Sequence, residues 1–507
     1  MDLAITLDNN SSKPLHQQLY EQLRQAILTG RLTPGERIPS TRFLAKSLSI
    51  SRFTVTTSYE QLLSEGYLET VTGNGTFVCQ QIPDDLINSN PIENIKKINP
   101  PPIKLSKYGE TLVNTKNVPR IAEAKLQINF RYGTPALSEF PIKTWRRLLS
   151  RYCNANLDWL DYSTEPLGYQ PLRKAIAHYL TRSRAVNCKP EQILITNGTQ
   201  QALDLILRLL ISPGETIAIE NPGYLSARII FETQNAQVLP ISVDNSGLIV
   251  QELANSKQKN IRLVYVTPSH QFPTGAILSL PRRLELLNWA QQTGGLIIED
   301  DYDSEFRYGE KPIPALQGLD KSDSVLYIGT FSKVLFPSLR IGYLVLPKSL
   351  VKIFTRAKWL CDRHLPILEQ QVLAEFIESG YLERHIRKMR SIYDKRRQVL
   401  VNALKKHFGK RAKILGEKAG IHVMVCFKSN LSDEEIIKRA AKVGVGMMSA
   451  NPHYLVNHPR GEFIFGYGEL TEMQLTEGIR RLAQIMNLTP NPFPPREGEQ
   501  DSKFFSS

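Results

Sequence analysis

Leu15, Leu19, Leu23 and Ile27 recur at four-residue steps between Pro14 and Gly30, with Ala26 alongside, so this stretch predicts an amphipathic helix stopped by glycine. Beyond the turn RLTPGERIP, Ser40 can cap a short helix running to Leu48 and Ser51 a second running to Glu65, with only Ser49 and Ile50 between them. That order reads as helix-turn-helix. The next segment, GYLETVTGNGTFVC, alternates about Gly73, Asn74 and Gly75, which predicts a hairpin and hence a wing. Residues 81–124 lose periodicity and carry Asn88 to Pro91 and the run Pro100 to Pro102, so they predict a linker. A flexible chain of that length spans roughly 35 to 40 Å, enough to reach a neighbouring subunit.

From Leu126 the pattern changes to short apolar runs separated by helical stretches. QILITNG precedes a helix predicted from Thr199 to Leu210, and ETIAIENP, RLVYVTP, GLIIEDDYD and SVLYIGTFSK follow. Such runs predict a mostly parallel sheet with helical crossovers, whose ligands gather at the C-terminal ends of its strands. The tail from Leu488 is proline-rich and then polar, and predicts disorder. The resulting division is 10–80, a linker at 81–124, a large domain at 125–487 and a tail at 488–507.

Composition adds bounds. A chain of 507 residues calls for two or three domains. Cys79, Cys153, Cys188, Cys361 and Cys426 show neither a disulfide framework nor zinc-ligand spacing, which fits a reducing cytoplasm and predicts no metal. No signal peptide and no apolar run long enough for a bilayer is visible. The formal charge of +14 permits an acidic partner such as nucleic acid. Residues 1–80, however, hold seven Lys plus Arg against seven Asp plus Glu, so a DNA role there rests on pattern rather than charge. The densest basic run, YLERHIRKMRSIYDKRRQVL, reads as a solvated helix face with intrahelical pairs or as an added DNA surface.

Candidate chemistry centres on Lys333 in YIGTFSKVLFPSLRIGY. An amine can form a Schiff base with a carbonyl cofactor, while Thr330, Ser332 and Arg340 can hold a phosphate, and the combination suggests pyridoxal phosphate. Three further runs fit. Thr196 to Gln200 opens a helix whose free N–H groups suit phosphate, though an ordinary helix cap looks the same. Tyr224 after Asn221-Pro222-Gly223 can stack on a ring or be merely structural. Asp300, ending an apolar strand, can face a pyridinium nitrogen, with Tyr302 on the same face; a solvated strand end is the alternative.

Residues 14 to 79, with PGERIPSTRFLAKSLSISRFTV, YEQLLSEGYLE and GNGTFV, resemble the winged helix of the GntR superfamily. The resemblance implies DNA contacts from Arg42 and Arg52, with Ser51 and Thr54 opening the recognition helix and Gly73 in the wing. Phe53 stands where the family commonly has a smaller polar residue. The four cofactor runs, with FRYGTPALSEF, LGYQPLRKAIAHYL, TPSHQFPTG and RIGYLVLP, resemble fold-type I pyridoxal-phosphate aminotransferases, and the whole chain resembles MocR-type regulators. That resemblance implies Lys333 as the internal aldimine, Asp300 on the pyridine nitrogen, Tyr302 near the phenolic oxygen and Tyr224 stacked. It further implies Gly198, Thr199, Gln200, Thr330 and Arg340 about the phosphate, and a homodimer on two-fold DNA.

Two departures bear on activity. Phe272 replaces the Asn that precedes Pro-Thr-Gly in aminotransferases, leaving His270 or Gln271 as possible polar substitutes, and the strand in GEFIFGYGEL lacks the expected carboxylate-binding arginine. Arg460 is the arginine beside that strand, and Arg228, the first arginine after Tyr224, could pair with a carboxylate. The expected function is a DNA-binding regulator that senses pyridoxal phosphate or a small amine through Lys333, and the alternative is an aminotransferase carrying an accessory winged helix.

Overall fold

The computed structural model describes residues 5–9, 11–83, 103–115, 126–155, 157–162, 165–258, 260–309, 313–457 and 459–487. The chain divides into two compact units, Met1–Lys104 and Leu105–Ser507. The predicted tail and much of the predicted linker lie outside the described residues.

In the smaller unit, helix α1 (Leu15–Leu28) buries Leu19, Leu23, Ala26 and Ile27, the face that the four-residue spacing marks. Helix α2 (Thr41–Ser47) begins at Ser40, whose hydroxyl accepts from Phe43 N–H, and α3 (Arg52–Ser64) begins at Ser51, whose hydroxyl accepts from Thr54 N–H. Each cap satisfies one of the otherwise unpaired amides of the first turn, worth about 1 kcal/mol. Strands β1 (Leu68–Val71) and β2 (Gly75–Val78) pair antiparallel and form the wing. Gly73 sits at its tip with φ +82°, a left-handed conformation that glycine enters without a Cβ clash. Leu23, Val55, Leu62 and Val78 close one core beneath these elements.

The larger unit opens with a feature the linker reading misses, a helix at Lys107–Asn114 capped by Ser106. Strand β3 (Ile128–Asn129) follows, and then an eight-stranded sheet is built from β4 (Ile193–Thr196), β5 (Thr216–Asn221), β6 (Gln237–Asp244), β7 (Gly247–Leu248), β8 (Ile261–Val266), β9 (Leu296–Asp301), β10 (Val325–Thr330) and β11 (Gly342–Val345). Their spatial order is β4-β11-β10-β9-β8-β5-β6-β7, parallel except where β11 meets its neighbours and where β7 folds back on β6. Alternation along each strand sends side chains into different cores. Leu194, Leu326, Ile328 and Leu344 join one cluster, and Ile195, Tyr327, Tyr343 and Val345 join another.

A second sheet, in the order β12 (Ala412–Leu415), β13 (His422–Phe427), β16 (Glu462–Gly466) and β15 (Met448–Ser449), packs with the long helix Tyr381–Phe408 and the helix Glu472–Asn487. Between β13 and β15 the chain forms β14 (Val445–Gly446), which pairs with β3. Among the described residues, no helix is long and apolar enough to cross a membrane.

Candidate functional site

One cavity of about 290 Å³ lies at the C-terminal ends of the parallel strands. Thr199 and Gln200 reach it from the start of the helix Gly198–Leu210, which follows β4. Tyr224 comes from the turn after β5, Asp300 and Tyr302 from the end of β9, and Thr330, Ser332 and Lys333 from the end of β10. Arg340, just before β11, completes one side. All the predicted cofactor residues therefore converge except Gly198, which lies directly behind the lining, where a Cβ would meet Arg340 Nη2 at 2.7 Å.

Lys333 Nζ donates to the carbonyl of Gly133 at 2.8 Å, and burial lowers its pKa from the usual lysine range. Gly133 has φ +82°, and a Cβ there would stand 2.6 Å from Lys333 Nζ. A lowered amine pKa increases the neutral, nucleophilic fraction. Asp300 is buried in the same lining. Its Oδ2 accepts from Tyr265 O–H at 2.7 Å, while Oδ1 has no partner. Burial raises this carboxyl to about 7, with the Tyr265 hydrogen bond opposing the shift. An orphan acceptor of this kind calls for a cationic N–H across the cavity.

The phosphate side is built from the chain's own contacts. Arg340 Nη2 donates to Asn197 O at 2.9 Å and Nε to Asn197 Oδ1 at 3.2 Å, so the guanidinium is fixed beside the helix start. Thr330 Oγ1 accepts from Ser332 N–H at 3.1 Å. Hydroxyls, a fixed guanidinium and the first-turn amides make an anion cradle. The donor set fits pyridoxal phosphate: Asp300 Oδ1 for the ring nitrogen, Lys333 for the carbonyl carbon, Tyr224 for the ring face and this cradle for the phosphate.

Neither polar substitute proposed for the Phe272 position takes that role. Gln271 is fully buried and donates to Pro222 O at 2.8 Å, while His270 Nδ1 lies 3.1 Å from Asp303 Oδ1. Phe272 itself lines the cavity, 5.0 Å from the Tyr132 ring and 4.9 Å from His453. The Tyr302 hydroxyl donates to His270 O at 2.9 Å and lies 3.0 Å from His270 Nδ1, which leaves one lone pair for a cofactor group. Arg228 is turned onto the 452–454 turn, donating to Tyr454 O at 3.0 Å and Pro452 O at 3.1 Å. Arg460 is exposed and does not line the cavity. Within β16, Ile464 is buried in a cluster with Phe272, Met424 and Ala450 and is not among the residues that line the cavity. Lys333 and Arg340 are the lysine and arginine of the lining.

Sequence reasoning missed Tyr265, Gly133, Ser226 and His422, all at the cavity or holding a group in it. Tyr265 had a signal: two residues before Thr267 in RLVYVTP, it shares the face of a strand whose end lines the cavity.

On the smaller unit, Arg42, Ser51, Arg52 and Gly73 are exposed and Thr54 is half-buried beneath Ser51. Arg52 Nε donates to Thr41 Oγ1 at 3.4 Å, which ties the start of α3 to the start of α2. Arg52→Ala is expected to cost about 1 to 3 kcal/mol of operator binding if this guanidinium reads a base, with cofactor binding unchanged. Competition between operator and unrelated DNA checks this, since equal loss on both makes Arg52 a phosphate contact. The basic run of Tyr381–Phe408 is largely committed elsewhere. Lys388 pairs with Glu139 at 2.7 Å, Lys395 with Glu472 at 3.0 Å and Arg397 with Asp394 at 2.6 Å. Arg390 donates to Glu305 O at 2.9 Å, and buried Arg396 donates to Gly468 O. Of these, the Arg397–Asp394 pair is intrahelical, and the others reach other elements of the larger unit.

Comparison with known proteins agrees with this geometry. Residues 15–78 match the bacterial regulatory proteins of the gntR family, and residues 127–482 match aminotransferase class I and II. The chain is 37% identical over 478 residues to the probable rhizopine catabolism regulatory protein MocR of Rhizobium meliloti, covering 94% of this chain and 95% of that one. It is 29% identical over 498 residues to the pyridoxine biosynthesis transcriptional regulator PdxR of Corynebacterium glutamicum, covering 96% and 99%. Among solved structures, the kynurenine aminotransferase of Pyrococcus horikoshii in complex with PMP matches with a TM-score of 0.67 and 28% identity, over 79% of this chain and 98% of that one. The chain belongs to the MocR-type transcriptional regulators, which join a gntR-family DNA-binding module to a class I and II aminotransferase domain.

Proposed function

We propose that this regulator binds operator DNA through α3 and the wing, holds pyridoxal phosphate at Lys333, and reports the arrival of the cofactor or of a small amine. When bound, pyridoxal phosphate supplies an electrophilic carbonyl carbon and an electron-withdrawing ring. Lys333 Nζ is the amine set to engage that carbon, and Asp300 Oδ1 is the acceptor set to hold the ring nitrogen's proton. Thr199, Gln200, Thr330 and Arg340 would fix the phosphate, and Tyr224 would cover one ring face. Such a protein works in the cytoplasm as a homodimer, because two identical winged helices suit two half-sites.

The observation that carries a sensing role over sustained catalysis is the set of cations in the cavity lining. The cofactor groups are all present, yet Lys333 and Arg340 are its lysine and arginine, and Arg340 is held on Asn197 at the phosphate side, which leaves no further guanidinium among the described lining residues for a substrate carboxylate. Binding energy for an amino-acid substrate is therefore weak, and turnover depends on that energy. Visible absorption of the cofactor-loaded protein, followed in time with a panel of amines and amino acids plus a keto acid, tests this. A spectral change that one compound produces and that then persists is expected for a sensor. A spectrum indifferent to every amine makes the cofactor itself the signal, and steady production of new keto acid identifies an aminotransferase with an accessory winged helix.

A further inference from the structure

Across residues 15–78, the described large apolar side chains left exposed are Phe43 at 64%, Phe53 at 81% and Val71 at 43%. They lie on α2, on α3 and at the wing, whereas the apolar stripe of α1 is covered. A phenylalanine left four-fifths in water contributes nothing to the unit's own core, so its energetic use lies in what it meets.

The position of Phe53 restricts what that is. It is the second residue of α3, immediately after Arg52 and the Ser51 cap. Helical side chains lean toward the N-terminus, so this ring projects over the first turn, the part of a recognition helix that meets base edges in the major groove. Exposed Arg52 directly precedes it and exposed Arg42 stands on α2, both with positive charge suited to phosphates. Among the major-groove edges, the thymine 5-methyl is the apolar group, and contact with it is the base readout open to a phenyl ring.

Resting on the regulator reading, we infer that Phe53 is a specificity-determining residue that packs its ring on the 5-methyl group of a thymine in each operator half-site. A polar residue at this position would read a hydrogen-bonding edge instead. The ring is indifferent to the other atoms of that base pair and discriminates by the methyl alone.

The test uses the full chain loaded with pyridoxal phosphate and an operator that it selects from random duplex DNA. Each thymine of that operator is replaced in turn by uracil, which removes one methyl and leaves the pairing intact. One position per half-site is expected to weaken binding about fourfold, the worth of one buried methyl group. In Phe53→Ala, that position is expected to lose its sensitivity while uracil elsewhere behaves as in the parent protein. An operator that tolerates uracil at every position overturns the inference, as does a Phe53→Ala protein that still distinguishes thymine from uracil at the same site. A Phe53→Ala protein whose association state changes while its DNA selectivity does not would assign the ring to a protein contact and also overturn it. Failure to select any duplex sinks the DNA-binding reading itself, which separates the two.

Discussion

Lys333→Ala is expected to abolish covalent attachment of pyridoxal phosphate while the protein stays folded. The lysine is half-buried and its amine donates a hydrogen bond to Gly133 O at 2.8 Å. Deleting that bond beside an open cavity, where water can replace it, costs about 1 kcal/mol of stability. The chemical loss is complete, because a methyl side chain cannot attack a carbonyl carbon. The anion cradle around Arg340 and Thr330 survives in the variant, so residual, reversible binding of the cofactor is expected. Borohydride reduction followed by intact mass measurement separates the two modes. Wild type gains the reduced cofactor's mass, and a Lys333→Ala protein that gains it equally would place the reactive amine elsewhere.

The readable part of this site is the part carried by short runs at strand ends. Asp300, Lys333 and Thr199 each follow an apolar run that marks a strand, and parallel topology then brings those ends to one place. Strand β11 was legible only as the flank RIGYLVLP, and its insertion between β4 and β10 was not, because its pairing with β4 joins residues as far apart in the chain as Thr196 and Gly342. A longer separation hides Gly133. Nothing local in FRYGTP indicates that its carbonyl will meet Lys333, 200 residues later in the chain. The polar candidates beside Phe272 failed for a different reason. His270 and Gln271 are polar and buried, and their groups are turned to other partners: His270 Nδ1 to Asp303, and the Gln271 amide to Glu220 and Pro222, while His270 Nε2 has none.

A regulator's pocket and an enzyme's pocket share their cofactor half and part at the substrate half. Here the shared half is held by many mutually fixed groups, such as Arg340 on Asn197 and Asp300 on Tyr265. The other half presents Tyr132, Phe272, Ile421 and His422. Burial lowers the pKa of His422 well below the usual histidine range, so this wall gains no imidazolium to attract a carboxylate at neutral pH.

Asp300→Ala is expected to weaken equilibrium binding of pyridoxal phosphate by about 3 kcal/mol, roughly a hundredfold in Kd, because it removes the acceptor from a buried charged pair. The wild-type affinity should also depend on pH with a sign set by this carboxyl. In the cofactor-free protein, burial holds Asp300 up at about 7, against about 4 in an unfolded chain. Its contribution to stability is therefore present below about 4 and is lost as pH rises through 7, as the buried group is forced to ionise. A cationic ring nitrogen opposite Oδ1 reverses that preference by giving the carboxylate a partner. Cofactor binding then releases a proton below pH 7, so affinity should rise between pH 5.5 and 7.5, by at most about tenfold per unit, and level off above. In Asp300→Asn, this part of the slope should vanish while titration of the phosphate and Lys333 continues to act. Equilibrium dialysis of cofactor at pH 5.5, 6.5 and 7.5 with both proteins measures the difference. Parallel curves would mean that Asp300 keeps its proton in the loaded protein, and the ring nitrogen would then have no carboxylate to hold it charged.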